Sequence, residues 1–284
     1  MPAFPIVDTH LHIWDPGRIR YPWLDGNALL NRPYLLPDYR RAFSSVEVEA
    51  MVFVQCEADF AAFAEEADWV AAQAEADPRI RAMVAWAPLE KGKAVEADLL
   101  RLKRHKILRG IRRIIQFEDD IDFCLRPQFI EGVRMLAAHG LSFDICIDYR
   151  HMANTLRFVE KLPEVPMILD HIGKPAIRDG RVQPWASQMR ELARFGNVVC
   201  KVSGVATEAA RDWKADDLKP YLDVAFAEFG MGRTMFGGDW PVTLQAVEPS
   251  RWIGILDAWL AGHDEKELRA FWRDNAIRAY RLAI

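Results

Sequence analysis

The sequence predicts an α/β protein, a single (β/α)8 TIM barrel that takes in residues 1–284 as one domain. Short apolar runs of about five to eight residues recur along the chain, and each is followed by a longer stretch with apolar residues at helical spacing. Eight such runs suit the length of one barrel, which usually takes about 250 residues. An open doubly wound sheet has the same element order, but eight strands that end near the C-terminus favour closure.

The predicted strands have nearly continuous cores of Val, Ile, Met and Phe, as expected of parallel strands covered on both faces. They are PIVDTHLH from residue 5, AMVFVQ from 50, IRAMVAWA from 80, LRGIRRII from 108, LSFDICID from 141, PMILDHIG from 166, NVVCKVSG from 197 and TMFGGDWP from 234. Periodicity predicts helices over 61–76, 93–105, 127–139, 152–162, 184–195, 216–229 and 249–261. Pro127 suits a first helical turn, and Gly140 and Gly196 suit helix ends.

Two segments fall outside the strand and helix alternation. The stretch from Asp15 to about Ser45, rich in Pro, Tyr, Trp, Asn and Gly, is predicted to be one long irregular loop after the first strand. Loops of this length are usually functional, although a packed surface excursion is an equally good interpretation. Residues 264–284 are predicted to form two short helices that cover the outside of the barrel.

Composition limits the class of partner. Hydrophobic residues make up 51% and charged residues 27% of the chain, which suits a globular protein with a sizeable core. The net charge is −4 and the basic residues are scattered, so nucleic acid and anionic membranes are not expected partners, whereas a small molecule is. A homo-oligomer is left open. No apolar run reaches the roughly 18 residues of a membrane span, and a cytoplasmic location is expected. The four cysteines form no CxxC pair, and the three that lie inside apolar runs are interpreted as small buried hydrophobes.

Polar residues at the strand ends predict the active site, because the C-terminal ends of barrel strands converge on one mouth. His10 and His12 have the same strand parity, His171 ends the sixth strand, and Asp239 ends the eighth. Two imidazoles and a carboxylate are suitable ligands for Zn²⁺. A lone His-x-His pattern is weak evidence for a metal site. Polar residues at three separate strand ends are costly to bury unless they are paired or have a function, so their clustering favours a functional site.

Other strand-end residues are candidates for contacts with a substrate. They are Gln55, Glu57, Trp86, Arg112, Asp148, Arg150, His151, Lys201 and Ser203, with Trp14 and Trp240 as candidate stacking residues. Arg112 can form forked hydrogen bonds with a carboxylate or carbonyl, and a structural salt bridge is an equally good interpretation. Lys201 and Ser203 share a parity that faces the mouth, which turns Val202 towards the helices. Trp23 is interpreted as core material.

Three motifs resemble the TIM-barrel lactonase branch of the amidohydrolase superfamily. They are VDTHLHIWDP from residue 7, LDHIGKP from 169 and FGGDWP from 236, and the likeness runs in order through nearly the whole chain. This branch includes sugar-acid lactonases, such as those for fuconolactone or rhamnonolactone, and a pyrone dicarboxylate lactonase. The resemblance implies metal-facing positions for His10 and His12, the strand-six histidine role for His171, and activation of water by Asp239.

The chain also departs from the wider superfamily pattern. The strand-four Lys or Glu bridge is replaced by Arg112 and Arg113, and strand five offers Cys146 and Asp148 where the superfamily has a histidine. A centre with two metals is therefore not expected. The resemblance implies one divalent ion, Zn²⁺, held by His10, His12 and Asp239, and some members of this branch work without a metal.

The leading hypothesis is a hydrolase that opens a sugar-acid lactone, with Asp239 and His171 as catalytic residues. A lactone is an activated ester, so a base for water and donors for the oxyanion suffice. One alternative is a metal-dependent amidase or decarboxylase of the same superfamily, and the missing strand-five histidine counts against it. The other is a sugar-binding barrel that has lost its chemistry, which would tolerate loss of the Asp239 carboxylate.

Overall fold

The computed structural model describes residues 1–284 and contains eight parallel strands whose neighbour order follows the chain. The strands are β1 (Ile6–Leu11), β2 (Val48–Val54), β3 (Ile80–Ala85), β4 (Leu108–Arg112), β5 (Ser142–Ile145), β6 (Met167–Leu169), β7 (Val198–Val202) and β8 (Thr234–Phe236). Each lies within one of the predicted runs or extends it by no more than two residues. The predicted (β/α)8 fold is confirmed.

The barrel closes where β1 and the segment after β8 meet. Leu11 forms an isolated parallel bridge with Trp240. The Asp239 amide donates to the His10 carbonyl, and the His12 amide donates to the Trp240 carbonyl, each at 2.8 Å. These closing bonds place His10, His12 and Asp239 side by side at the mouth.

The helices form the outer layer. They are α1 (Leu36–Ala42), α2 (Phe63–Ala76), α3 (Glu96–Leu102), α4 (Pro127–Ala138), α5 (Met152–Glu160), α6 (Trp185–Leu192), α7 (Ala215–Phe229), α8 (Pro249–Trp259), α9 (Glu265–Arg269) and α10 (Asn275–Tyr280). The seven periodic stretches correspond to α2 through α8, with ends that differ by up to three residues. A core of 77 buried residues fills the space between strands and helices. None of the helices is long and apolar enough to cross a membrane.

The segment from Asp15 to Ser45 is ordered rather than irregular throughout, so that prediction was wrong in part. It contains a 3-10 turn at Pro22–Leu24 and the helix α1. The Trp14 indole nitrogen donates to the carbonyls of Leu30 and Arg32, which ties the segment to the end of β1. Helix α1 has only seven residues, too few to show a helical period in the sequence.

The predicted position of the C-terminal helices was wrong for α10. Helices α9 and α10 are joined through a π-helical turn, and α10 closes the floor of the barrel instead of covering its outside. Tyr280 packs inside the barrel against small strand residues that include Ala50 and Ala82. Such small side chains leave room for an aromatic ring, and the apolar end of the chain is buried there.

Candidate active site

Four predicted residues meet at the mouth of the barrel. The Oδ1 atom of Asp239 lies 3.7 Å from His10 Nε2 and 3.6 Å from His12 Nε2, and Oδ2 lies 4.0 Å from His171 Nδ1. The ring centroid of His10 is 4.8 Å from that of His12 and 4.5 Å from that of His171. All four side chains are buried. A carboxylate therefore faces three imidazoles in a site largely shielded from water.

The backbone at this site takes uncommon conformations. His171 and Asp239 follow their strands with φ angles of 54° and 52°, in the left-handed region that non-glycine residues rarely adopt. Gly204, after β7, has φ of 59°, and a Cβ added there would lie 2.5 Å from Asp239 Oδ2 and 2.7 Å from His171 Nδ1. Strained residues of this kind persist where the surrounding structure holds them, often at functional sites.

Asp8, which was not among the sequence candidates, fixes the ends of β1 and β8. Its Oδ1 accepts from the backbone amides of His10, at 3.0 Å, and Gly238, at 2.7 Å. Its Oδ2 accepts from the hydroxyl of Tyr39 in α1 at 2.9 Å. No side chain fits at Gly238, since a Cβ would lie 2.5 Å from Asp8 Oδ2. The short helix α1 thereby supports the histidine pair.

The protonation states follow from burial and contacts. Burial lowers the pKa of His10 and His12 below the ordinary value and lowers the pKa of His171 to about 4. All three rings are therefore neutral at pH 7. Burial alone would raise the pKa of Asp239, but the facing His171 and His12 rings hold it below its usual range, so Asp239 is ionised. The Val54 carbonyl lies 2.8 Å from His12 Nδ1 and accepts its proton, which leaves the Nε2 lone pair facing Asp239.

The residues at the mouth fit one divalent metal ion. One ligand atom each from His10, His12 and Asp239 lie within 4.8 Å of one another. Ligand atoms around a tetrahedral zinc, with bonds of about 2.0–2.2 Å, are about 3.3–3.6 Å apart, close to the separations of Asp239 Oδ1 from the two rings. His10, Asp170 and His171 form a second such group. Because His10 belongs to both groups, the two would compete for its ring.

Arg112 is buried beside this cluster and forms the structural salt bridge that was one of the two interpretations made from the sequence, while its contact with a substrate stays a prediction. Its guanidinium donates to the Gln55 carbonyl at 2.6 Å and to Asp170 Oδ2 at 3.2 Å, and Nη1 lies 3.1 Å from His10 Nε2. It therefore forms a buried salt bridge and also lines the cavity above. A fixed cation therefore lies next to His10.

An open cavity lies above the cluster. The candidates that line it are His12, Trp14, Trp23, Glu57, Arg112, His171 and Asp239. The sequence reasoning missed Cys56, Ile114, Gln116, Phe117, Lys174 and Val242, and it named Cys146 only as a departure from the superfamily. Ile114, Gln116 and Phe117 follow β4 directly, so their position after a strand was a usable signal.

Eight candidates for substrate contacts lie outside the lining of this cavity: Gln55, Trp86, Asp148, Arg150, His151, Lys201, Ser203 and Trp240. Trp86 stacks on Phe60 with ring centroids 4.9 Å apart. Asp148 and His151 bond to each other at 3.1 Å. Trp240 is buried with its ring against the rings of Tyr34 and Tyr39. A substrate confined to this cavity would not reach them. Their role in binding stays a prediction.

The aromatic wall of the cavity differs from the one expected. Trp23, interpreted as core material, is 38% exposed and lines the cavity, and its indole nitrogen donates to the Cys56 carbonyl at 2.7 Å. Trp14 lines the cavity as well, whereas Trp240 does not. The long segment after β1 thus supplies one wall of the site.

The candidates on β7 lie beneath and beside the histidines. Ser203 Oγ is 2.9 Å from His171 Nδ1. Lys201 is fully buried in the barrel interior and does not line the cavity, while Val202 belongs to the outer core as its parity indicated. Lys201 lies below the rim of the barrel, so its side chain contacts residues of the neighbouring strands and does not extend to the mouth.

Glu66 of α2 gives a test of electrostatics beside the site. It is buried, its Oε1 accepts from the Cys56 amide at 3.1 Å, and burial raises its pKa from 4.5 to about 8. The folded protein then holds this proton more tightly than the unfolded chain, so stability falls as pH rises from about 4.5 to about 8. We expect Glu66→Gln to remove this loss, on the order of a few kcal/mol.

Urea unfolding from pH 4.5 to 9 measures the effect. The difference in the free energy of unfolding, Glu66→Gln minus wild type, should increase as pH rises. A change in stability that is the same at every pH would not affect this trend. Glu160→Gln, at an exposed position at the end of α5, should run parallel to the wild type. Parallel curves for Glu66→Gln as well would mean that Glu66 is ionised in the folded protein at neutral pH.

Comparisons with known proteins show the family of the chain. Residues 7–282 match the family described as Amidohydrolase. The L-fucono-1,5-lactonase of Burkholderia multivorans is 32% identical over 291 aligned residues, covering 97% of this chain and 96% of the relative. The L-rhamnono-gamma-lactonase of Scheffersomyces stipitis is 23% identical, with 99% and 100% covered. A solved amidohydrolase from Burkholderia multivorans with bound zinc has a TM-score of 0.89 at 31% identity, with 99% and 100% covered.

The match extends over almost the whole chain and includes the three motifs that carried the resemblance. It confirms the family that those motifs indicated. The chain belongs to the amidohydrolase family.

Proposed function

We propose that this protein is a hydrolase that opens the lactone of a sugar acid to the free acid. The observation that carries the proposal is the ionised carboxylate of Asp239 facing three neutral imidazoles at the base of an open cavity. The names of the fuconolactonase and rhamnonolactonase relatives support this substrate class. The amidase and decarboxylase alternatives have no comparable support in the site.

Asp239 is the proposed base. A water oxygen attacks the lactone carbonyl carbon while Asp239 takes one of the water protons. The ring carbon–oxygen bond then breaks, and the protonated Asp239 returns the proton to the departing ring oxygen, which becomes a hydroxyl. The carboxylic acid product ionises at neutral pH and releases one proton to solution. An activated ester needs only this general base and stabilisation of the oxyanion.

His171 is the proposed donor to the developing oxyanion. Ser203 Oγ lies 2.9 Å from His171 Nδ1, and a hydroxyl that donates there leaves the ring proton on Nε2. His171 lines the cavity, and at neutral pH its ring is uncharged. The positive charge of the buried Arg112 adds to the stabilisation of the oxyanion.

We also propose that His10, His12 and Asp239 hold one divalent ion, Zn²⁺. Zinc in the related amidohydrolase structure and the fit of the three ligand atoms support this ligand set. When bound, the ion would act as a Lewis acid that polarises the carbonyl. Residues of the cavity wall would orient the substrate. Trp14 and Trp23 offer apolar faces to its C–H groups, and Glu57 and Lys174 offer hydrogen bonds to its hydroxyls.

A substrate series tests the proposal. Proton release at pH 7 should exceed the spontaneous rate with lactones of the fucono, rhamnono and galactono series, and an aryl amide and a dihydroxybenzoate should remain unchanged. The series is repeated after prolonged chelation and again after zinc is restored, with metal content recorded each time. Loss of activity that zinc restores would assign the metal a role. Turnover of the amide or the benzoate without any lactone would overturn the proposal.

A further inference from the structure

A buried charged cluster lies below the active site, inside the barrel. Lys201 Nζ on β7 is 2.7 Å from Asp144 Oδ2 on β5 and 3.0 Å from Asp170 Oδ1 after β6. The hydroxyl of Tyr280, from the floor helix α10, donates to Asp144 Oδ2 at 2.6 Å. Lys201, Asp144, Asp170 and Tyr280 are all 0% exposed. The cluster therefore runs from the floor of the barrel upward.

The upper end of this cluster contacts the active site. Lys201 Nζ lies 3.4 Å from His10 Nδ1, and Asp170 Oδ1 lies 3.6 Å from the same nitrogen. Both atoms approach Nδ1 of the His10 ring. The other ring nitrogen, Nε2, faces Asp239. Histidines that bind metals or react are commonly oriented by a carboxylate on their second nitrogen. Lys201 is placed to hold that carboxylate.

Stability alone does not account for these charges. The interior of such a barrel is normally filled by branched apolar residues, and many of the other interior residues here are apolar, among them Val7, Val52 and Met235. Replacing a buried ion pair by apolar residues of similar volume is often neutral or stabilising. The charges are balanced, since Lys201 and Arg112 oppose Asp144 and Asp170. A balanced buried cluster that ends on a reactive histidine suits a positioning role.

We propose that Lys201 is a positioning residue which, anchored by Asp144 and Tyr280, fixes Asp170 and His10 so that His10 Nε2 faces Asp239. The floor helix α10 is then part of the scaffold of the active site. Lys201 acts through His10 and Asp170 and does not touch the substrate. The kinetic consequence rests on the proposed lactone hydrolysis, but the effect on the His10 ring does not.

The mildest test is Tyr280→Phe, which removes only the hydroxyl at the lower end of the cluster. We expect kcat to fall by about 3- to 30-fold with little change in KM, the range of coupling through a packed network. Tyr221→Phe is the matched control, because the Tyr221 hydroxyl of α7 is buried without a hydrogen-bond partner. It should keep the kcat of the wild type.

A second variant separates positioning from charge balance. Lys201→Met alone leaves two carboxylates against one guanidinium and can fail to fold, whereas Lys201→Met combined with Asp144→Asn leaves Arg112 paired with Asp170. The double variant should fold but keep a kcat about 10- to 100-fold below the wild type, because methionine cannot hold Asp170 beside His10. Full kcat in the double variant would mean that the charges only balance one another.

Nuclear magnetic resonance of ¹⁵N-labelled histidine rings gives a readout that needs no activity. The His10 signals are assigned by their loss in His10→Asn. Tyr280→Phe should shift them although Tyr280 bonds to Asp144 and not to His10, and Tyr221→Phe should leave them in place. His10 signals that coincide with those of the wild type in both Tyr280→Phe and the double variant would overturn the proposal, whether or not the protein opens lactones.

Discussion

Asp239→Asn is expected to lower kcat for lactone opening by about 10²- to 10⁴-fold, the usual contribution of a positioned general base. An amide cannot take a proton from water at neutral pH. The substitution also removes the negative charge that faces the three imidazoles. The fold should survive, because Asn has almost the shape of Asp and tolerates the left-handed φ of 52° at this position. The measurement is kcat at pH 7, together with urea unfolding and metal content.

Asp179→Asn is the matched control, since Asp179 is exposed in a turn before α6. It should behave as the wild type in both assays. An Asp239→Asn variant that keeps its kcat within about threefold would remove Asp239 from the role of base. A folded wild-type protein that binds sugar lactones without opening them, with affinity unchanged in Asp239→Asn, would favour a binding barrel that has lost its chemistry.

Gly204→Ala should lower kcat by about 10²-fold or more, because a shift of about 1 Å at reacting groups can have that effect. The added methyl would lie 2.5 Å from Asp239 Oδ2 and 2.7 Å from His171 Nδ1, closer than side-chain atoms tolerate. Either the carboxylate and the imidazole separate or the β7 turn moves. An L-residue at φ of 59° also costs about 1–2 kcal/mol of stability.

Gly180→Ala separates these two effects. Gly180 has φ of 63°, and a methyl there meets no atom within 4 Å. Both variants should lose about 1–2 kcal/mol of stability from the backbone alone, Gly204→Ala should lose more in urea unfolding because of the added clash, and only Gly204→Ala should lose activity. Equal kcat values for the two variants would show that the spacing of Asp239 and His171 does not limit the reaction.

The parts of the fold that depend on local pattern were predictable from the sequence. Most strand residues are apolar, and the helices α2 through α8 show a clear helical period, so the barrel and its mouth could be predicted. His10, His12, His171 and Asp239 could be placed together because strand ends in a parallel barrel converge. Only the number of strands and their direction were needed for that step.

The remaining features depend on contacts between distant parts of the chain. Tyr280 enters the barrel floor because Ala50 and Ala82 leave space for it, and neither position signals this alone. Asp8 bonds to α1 and to the segment after β8, over 31 and 230 residues of sequence. The parity of Lys201 indicated its inward direction correctly, but parity does not give depth, and depth decides whether a side chain meets a substrate or another strand.

The most direct test of the account is hydrolysis of L-fucono-1,5-lactone in ¹⁸O-labelled water, followed by mass spectrometry of the acid and compared with the spontaneous reaction. We expect the wild type to form the acid well above the spontaneous rate, with one ¹⁸O in the carboxyl group, and Asp239→Asn to form it about 10²- to 10⁴-fold more slowly than the wild type. Acid formed no faster with the protein than without it, with this lactone and with the rhamnono and galactono series in the presence of zinc, would contradict the account, as would enzymatic product without label in the carboxyl group.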